Sequence, residues 1–149
     1  MKLEPYHTGI VVDDVAAAIP AWEAATGVPW GPMYVGPLAV RTPTDDRTVE
    51  LELTMAYSTD LRLELVRRQA GTCWDVAGGG GVHHTGCWSK ALEADATNLE
   101  SQGWPIVAHG VGEHGEFAVF SYHQVPGIGL LELVSTDARE LLEAMVRGG

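Results

Sequence analysis

Two pairs of histidine and glutamate recur at matched places in the chain, and their side chains are the best suited to chemistry. His7 opens the stretch HTGIVV, and Glu64 lies in the later stretch LELV. The same pattern returns where His84 opens HTGCWS and Glu132 lies in a second LELV. Imidazole nitrogens and carboxylate oxygens form a mixed donor set that suits a divalent metal ion. The repeated pairs therefore predict a metal site.

The duplication also predicts the elements that position these side chains. Each HTG stretch reads as a strand followed by a helix, over about residues 15–25 in the first half and 92–102 in the second. The pair Asp13-Asp14 offers an N-cap to the first helix, and Gly27 and Gly103 offer C-terminal caps. Pro20 falls inside the first helix and predicts a kink or a restart near residue 19.

Three further strands follow each helix, so that each half reads βαβββ. They are predicted at about 33–40, 48–55 and 61–67, and again at about 106–109, 116–122 and 130–134. The predicted fold is α+β: two tandem βαβββ modules form a cup-shaped mixed sheet, with a short C-terminal helix. We expect one domain, with module 1 at about 5–68, a Gly-rich linker at about 69–81, module 2 at about 82–136 and the helix at about 137–147.

Strand alternation brings the four chemical residues to one side of the predicted sheet. One histidine in the first strand and one glutamate in the last strand of each half can share a face. A lone strand histidine or glutamate is more often structural, but the matched repeat favours metal ligation. Aligning the two HTG stretches pairs His83 with Tyr6, so His84 is the predicted ligand and His83 points to the opposite face.

Composition excludes several classes of function. A formal net charge of −11 with only nine lysines and arginines disfavours nucleic acid as a partner. No apolar run approaches the roughly 20 residues that span a bilayer, so we expect a soluble, cytoplasmic protein without a membrane partner. Cys73 and Cys87 are expected to be buried thiols in a reducing compartment. The C-terminal stripe of Leu141, Leu142, Met145 and Val146 is expected to pack.

Three stretches resemble the vicinal oxygen chelate superfamily, which includes glyoxalase I, methylmalonyl-CoA epimerase, bleomycin resistance proteins and extradiol dioxygenases. They are HTGIVVDD, GGGVHHTGCW and GEHGEFAVFSYHQVPGIGLLELV, and they extend over nearly the whole chain. The resemblance implies that His7 and His84 are first-strand ligands and that Glu64 and Glu132 are last-strand ligands. Glutamate at position 64 is similar to the glyoxalase I arrangement, because some epimerases have glutamine there.

The resemblance also implies a reaction. In such enzymes one divalent ion chelates two neighbouring substrate oxygens and polarises a carbonyl while a base removes the adjacent proton. Glu132 is one candidate base, and Glu52 is another, with Glu50 behind it on the same strand face. Candidate substrate-binding residues are Trp88, His114 and Glu50. For Glu50 and Glu52 the alternative is a solvated sheet face, for His114 an exposed loop, and for Trp88 the core.

The leading function is a metal-dependent isomerase, epimerase or lyase that acts on a small molecule with vicinal oxygens. A non-catalytic antibiotic or small-molecule binding protein of the same fold is the main alternative, and an extradiol-type dioxygenase is a lesser one. The ligand types suit Ni, Co, Mn, Zn and Fe alike, so the metal stays open, as does the substrate. We expect a homodimer.

Overall fold

The computed structural model describes residues 1–56, 62–76, 80–127 and 129–147. Within these ranges the chain forms eight strands, three α-helices and one 3₁₀ turn. In order they are β1 (Glu4–Val12), α1 (Val15–Thr26), β2 (Tyr34–Arg41), β3 (Asp46–Met55), β4 (Leu63–Arg67), β5 (Gly80–Ser89), α2 (Leu92–Ser101), β6 (Ile106–Val111), β7 (Phe117–Val125), β8 (Gly129–Ser135), the 3₁₀ turn (Thr136–Ala138) and α3 (Arg139–Arg147). The order is βαβββ twice and then a short helix, which confirms the predicted fold class.

The chain divides into two compact units whose boundaries do not follow the two modules. Unit A comprises His7–Gly36, Leu51–His83 and Glu140–Gly149. Unit B comprises Met1–Tyr6, Pro37–Glu50 and His84–Arg139. Strand β5 therefore passes from unit A to unit B between its two adjacent histidines.

Unit A is built on parallel pairing of β1 with β4 and antiparallel pairing of β3 with β4. Its core lies between these strands and α1. Leu65 belongs to the same core cluster as Val15 of the helix, and the side chains of Ile10 and Val12 pack against this cluster. Because side chains alternate along a strand, Glu64 and His7 point to the face of the sheet away from α1.

Unit B has the same arrangement of strands and helix. Strand β8 pairs in parallel with β5 and antiparallel with β7, and β7 continues through β6 to β2. Leu131 and Leu133 of β8 pack with Ala96 and Leu99 of α2. Glu132 between the two leucines therefore points away from α2. In both units the LELV stretch buries its leucines under a helix and turns its glutamate to the opposite face.

Helix α1 has the caps that its sequence predicts. The Asp14 carboxylate accepts a hydrogen bond of 2.9 Å from the backbone N–H of Ala17, and Gly27 closes the helix with a φ of 70°. The helix continues through Pro20, so the expected restart near residue 19 is wrong. Helix α2 ends at Ser101, next to the predicted boundary, and Gly103 adopts a φ of 86°.

The predicted Gly-rich linker, at about 69–81, overlaps the start of β5. Gly80 and Gly81 belong to β5, while Gly78 and Gly79 lie outside the described residues. A Cβ on Gly80 would lie 2.5 Å from the carbonyl oxygen of Val11, closer than any real Cβ contact. Glycine is required there because β5 begins against the backbone of β1.

The C-terminal helix forms, but its predicted apolar stripe is only partly buried. Val146 is buried, whereas Leu141 is 67% exposed, so the prediction that Leu141 packs is wrong. Cys87 is buried as expected, but Cys73 is only partly buried, and neither forms a disulfide. Among the described residues, no helix has the length and apolar character needed to cross a membrane.

Candidate metal centre

The first histidine and glutamate pair lies in unit A. In the β1–β4 pairing Gly9 is opposite Glu64, and His7, two residues before the glycine, shares its face. The Nε2 atom of His7 lies 3.7 Å from Oε2 of Glu64. Only 1% of the histidine side chain and 8% of the glutamate side chain are exposed. The two potential ligands are thus buried together.

The second pair lies in unit B and repeats this geometry. Gly86 is opposite Glu132 in the β5–β8 pairing, and His84 precedes the glycine by two residues. The Nε2 atom of His84 lies 3.2 Å from Oε2 of Glu132, and the side chains are 0% and 10% exposed. The registers of the two parallel pairings are therefore equivalent residue for residue from the threonine of HTG onward.

The donor set fits a divalent ion. Each pair offers one imidazole nitrogen and one carboxylate oxygen, and all four side chains are at most 10% exposed. Buried carboxylates are costly unless they are paired or coordinate a metal, so a bound cation is one way to stabilise these acids. Ligation by all four residues stays a prediction.

His83 makes a different contact from its neighbour. Its Nε2 atom lies 2.6 Å from the backbone carbonyl oxygen of Cys73, and the residue is 9% exposed. His84 instead packs its ring 5.0 Å from the ring of Tyr122. These contacts agree with a structural role for His83.

Glu52 does not share the face that carries Glu64. Met55 is opposite Glu64 in the β3–β4 pairing, so alternation places Glu52 on the face toward α1, where it pairs with Arg67 at 3.2 Å. Glu50 is exposed in unit B. This geometry is at odds with the expectation that Glu52 is a base beside the ligands. The strand register turns the Glu52 side chain to the sheet face opposite the one that carries Glu64.

Trp88 is a core residue with an aromatic and a cationic neighbour. It is 5% exposed, its ring lies 4.0 Å from the ring of Tyr6, and the guanidinium carbon of Arg139 lies 4.7 Å from the ring centre. Alternation keeps it on the strand face of His84. Trp88 also borders a cavity of about 540 Å³ in unit B, beside Lys2 and Lys90. The role of Trp88 in substrate binding stays a prediction.

The other histidines lie in structural or exposed positions. His114 is exposed in the turn between β6 and β7, where its backbone N–H donates to Glu116. His109 stacks on Phe117 with ring centres 4.1 Å apart. His123 is fully buried, its Nδ1 atom lies 3.1 Å from the backbone oxygen of Trp104, and burial lowers its pKa. The binding role predicted for His114 has no supporting contact in this turn.

Cys87 does not extend the ligand set. Burial raises the pKa of its thiol, and the charge of Glu132 raises that pKa further. Cys87 also lies opposite Leu133 in the β5–β8 pairing, so its side chain points to the face that packs against α2 and away from His84.

Tyr122 is a residue of this site that we did not predict from the sequence. It lies directly opposite Glu132 in the antiparallel β7–β8 pairing and is 3% exposed. The alternation of Phe120, Ser121, Tyr122 and His123 was a readable strand signal, but only the register of β7 against β8 shows which side chains face the glutamate.

Comparison with known proteins identifies the family. The model of the Glyoxalase/Bleomycin resistance protein/Dioxygenase superfamily matches residues 6–120. The chain belongs to this superfamily. Members share the fold described above, and this superfamily is the vicinal oxygen chelate group that the sequence resembles. A comparison with curated protein sequences gives no match.

Solved structures of methylmalonyl-CoA epimerases share the superfamily fold. The Mycobacterium tuberculosis enzyme is 19% identical, with a TM-score of 0.59, and the match covers 89% of this chain and 86% of that one. A variant of the Streptomyces coelicolor enzyme in complex with 2-nitronate-propionyl-CoA is 20% identical, with a TM-score of 0.63 and coverage of 92% and 97%. A third epimerase, in complex with methylmalonyl-CoA and NH4+, is 19% identical, with a TM-score of 0.63 and coverage of 93% and 97%. At these identities the likeness shows the fold alone.

Proposed function

We propose that this protein is a metal-dependent enzyme that removes a proton next to a substrate carbonyl, as an isomerase, an epimerase or a lyase. The observation that carries the proposal is the buried histidine and glutamate pair that recurs in both modules, His7 with Glu64 and His84 with Glu132, whose donor types suit a divalent ion. Glu64, beside His7 at 3.7 Å, is the proposed fourth ligand. A pattern that recurs with equivalent register in both modules is better explained by a shared ligand than by packing.

The ion would use four protein donors and leave positions for two neighbouring oxygens of a substrate if it is six-coordinate. When bound, it supplies Lewis-acid chemistry that polarises the substrate carbonyl and makes the adjacent proton more acidic. The histidines must be neutral to donate through nitrogen. The metal could be Ni, Co, Mn, Zn or Fe.

Glu132 is the proposed base, in a state in which its carboxylate has transiently left the ion. The Glu132 carboxylate is buried beside the His84 ring. A base must come within about 3 Å of the group whose proton it removes, directly or through one water. The carboxylate would take the substrate proton on an oxygen and return it to complete an isomerisation. Glu52 is a weaker choice because it lies on the other sheet face and pairs with Arg67.

We propose two candidate substrate classes. The neighbours that were solved with ligands hold methylmalonyl-CoA or 2-nitronate-propionyl-CoA, which favours an acyl thioester as the first candidate. The net charge of −11 and only nine lysines and arginines offer few groups to grip CoA phosphates. Smaller 2-oxo compounds are therefore the second candidate.

Metal content and hydrogen exchange test the proposal. The purified protein is expected to contain, or to bind on titration, about one divalent ion per chain, and the His84→Ala variant is expected to bind none. The metal-loaded protein should then exchange substrate protons for deuterium in D₂O with acyl thioesters or 2-oxo compounds. Absence of metal binding in the wild type refutes the proposal. Tight binding of a small molecule by metal-loaded protein, without exchange of any candidate, favours the binding-protein alternative.

We further propose that the protein is a homodimer. Met33, Tyr34 and Val35 form a run of exposed apolar residues at the start of β2, and such runs often mark interfaces. Light scattering after size-exclusion chromatography should give twice the chain mass of 16.0 kDa. A monomeric mass across micromolar concentrations contradicts this assembly.

A further inference from the structure

The residue that lies opposite the glutamate of each histidine and glutamate pair differs between the two modules. In the second module Tyr122 lies opposite Glu132 on the neighbouring antiparallel strand. In the first module the equivalent position opposite Glu64 is held by Met55. Residues directly opposite each other on antiparallel strands point to the same face, so each of these side chains borders its glutamate. The duplication is therefore broken next to the ligands.

Tyr122 also contacts the histidine of the second module. The Tyr122 ring lies 5.0 Å from the ring of His84, at an interplanar angle of 55°. The Phe120 ring packs against the Tyr122 ring, with ring centres 5.2 Å apart and an interplanar angle of 61°. All three residues are at most 5% exposed. A tyrosine has few side-chain rotamers and a rigid ring, whereas methionine is unbranched and adaptable.

We propose that Tyr122 is a positioning residue for His84, whose imidazole it holds in one orientation beside Glu132. Residues that orient a metal ligand raise the affinity of the site, because the ligand does not have to be ordered when the ion binds. The inference extends the proposed function, since it assigns the rigid half of the metal site to the second module. The first module, with Met55 beside Glu64, is the adjustable half.

A set of variants separates this role from general packing. Tyr122→Met gives the second module the side chain found in the first, and Tyr122→Phe keeps the ring while removing the hydroxyl. Phe117→Met is the matched control, because Phe117 stacks on a different histidine, His109, at 4.1 Å. Unfolding of all three in EDTA measures how much each substitution costs the fold itself.

NMR relaxation of the His84 ring carbons reports whether the ring keeps one orientation in metal-free protein. The His84 signal is assigned as the one that disappears in His84→Ala. We expect one ordered orientation in the wild type, in Tyr122→Phe and in Phe117→Met, and an averaged ring in Tyr122→Met. An equally ordered ring in Tyr122→Met overturns the proposal. A ring averaged in Tyr122→Phe as well still supports a positioning role for Tyr122, but assigns that role to its hydroxyl.

Titration with Co²⁺ or Zn²⁺ measures the consequence. We expect Tyr122→Met to raise the dissociation constant by about 10- to 100-fold, with Tyr122→Phe and Phe117→Met near the wild type. An unchanged constant in Tyr122→Met contradicts the role of Tyr122 in metal affinity. If the wild type binds neither metal, the proposed function fails, whereas the relaxation measurement still decides whether Tyr122 positions His84.

Discussion

Gly86 lies directly opposite Glu132 in the parallel pairing of β5 with β8. Gly9 has the same place opposite Glu64 in the pairing of β1 with β4. Paired residues point to the same face of a sheet, so each glycine leaves the space beside a carboxylate without a side chain. The histidine two residues earlier shares that face. In the HTG stretch the histidine thus provides a donor atom, and the glycine leaves room for it beside the glutamate.

Adding a methyl group at Gly86 should weaken metal binding without weakening the fold. Gly86 has no positive φ, so alanine can adopt its backbone and should stabilise the folded state by about 0.4–1 kcal/mol by restricting the unfolded chain. The new Cβ enters the face of His84 and Glu132, and we expect the dissociation constant for Zn²⁺ to rise by about tenfold. Competition with a chelator measures the affinity, and thermal unfolding in EDTA measures the stability. Thr85→Ala, on the opposite face, is the control, and equal affinities in both variants would contradict the role of the glycine.

The adjacent histidines should respond differently to removal. His84→Ala is expected to abolish binding of a divalent ion, because it deletes a proposed ligand. His83→Ala removes the partner of a backbone carbonyl at position 73, and a buried group that loses its hydrogen bond costs about 1–3 kcal/mol. Calorimetric titration and denaturant unfolding of both variants make the comparison. Loss of metal binding in His83→Ala with a stable fold would reverse the assignment.

The repeated stretches made most of the fold predictable. HTG and LELV mark the first and last strands of each module, and the caps at Asp14 and Gly27 follow from local backbone chemistry. Both signals are local, so no tertiary information was needed to interpret them. Pro20 was harder, because a proline removes only one backbone donor, and the packing of α1 on the sheet keeps the helix continuous.

The site was less predictable because it depends on strand register. Glu50 and Glu52 share a face by alternation, but alternation does not show whether that face is the one that carries Glu64. The pairing of Met55 with Glu64 decides this, and it depends on the connection between β3 and β4, of which residues 57–61 lie outside the described residues. Tyr122 was missed for the same reason, since only pairing shows that it lies opposite Glu132.

Two glutamine substitutions distinguish the candidate bases. Glu132→Gln should reduce the rate of deuterium exchange into the substrate by about 10²- to 10⁴-fold, because a positioned base typically accelerates proton transfer by that factor. Glu52→Gln should leave exchange unchanged, because its carboxylate pairs with Arg67 on the other sheet face. Exchange is measured by mass spectrometry or NMR at saturating metal, so that weaker metal binding does not mimic the loss of a base. A loss in Glu52→Gln alone would move the role of base from β8 to β3.

His123 should make the metal-free protein less stable as the pH falls below about 6.5. Burial lowers the pKa of this histidine from 6.5 in the folded chain, so the unfolded chain takes up the proton first, and stability falls from that pH down through the folded pKa. In its neutral ring Nδ1 donates to the Trp104 carbonyl at 3.1 Å and Nε2 accepts from the Ser121 hydroxyl at 3.0 Å, so the cost of protonation is that of placing a charge in a buried site. The pKa of Asp45 is lowered below 3.8 first by the Thr42 hydroxyl and then by Arg47, and the pKa of Asp46 is lowered by Arg41, so what these acids contribute to the stability of the fold is lost only at more acidic pH. Thermal unfolding in EDTA between pH 7.5 and pH 5 should show a larger decrease in the wild type than in His123→Gln. Equal decreases would place the pH sensitivity on other groups.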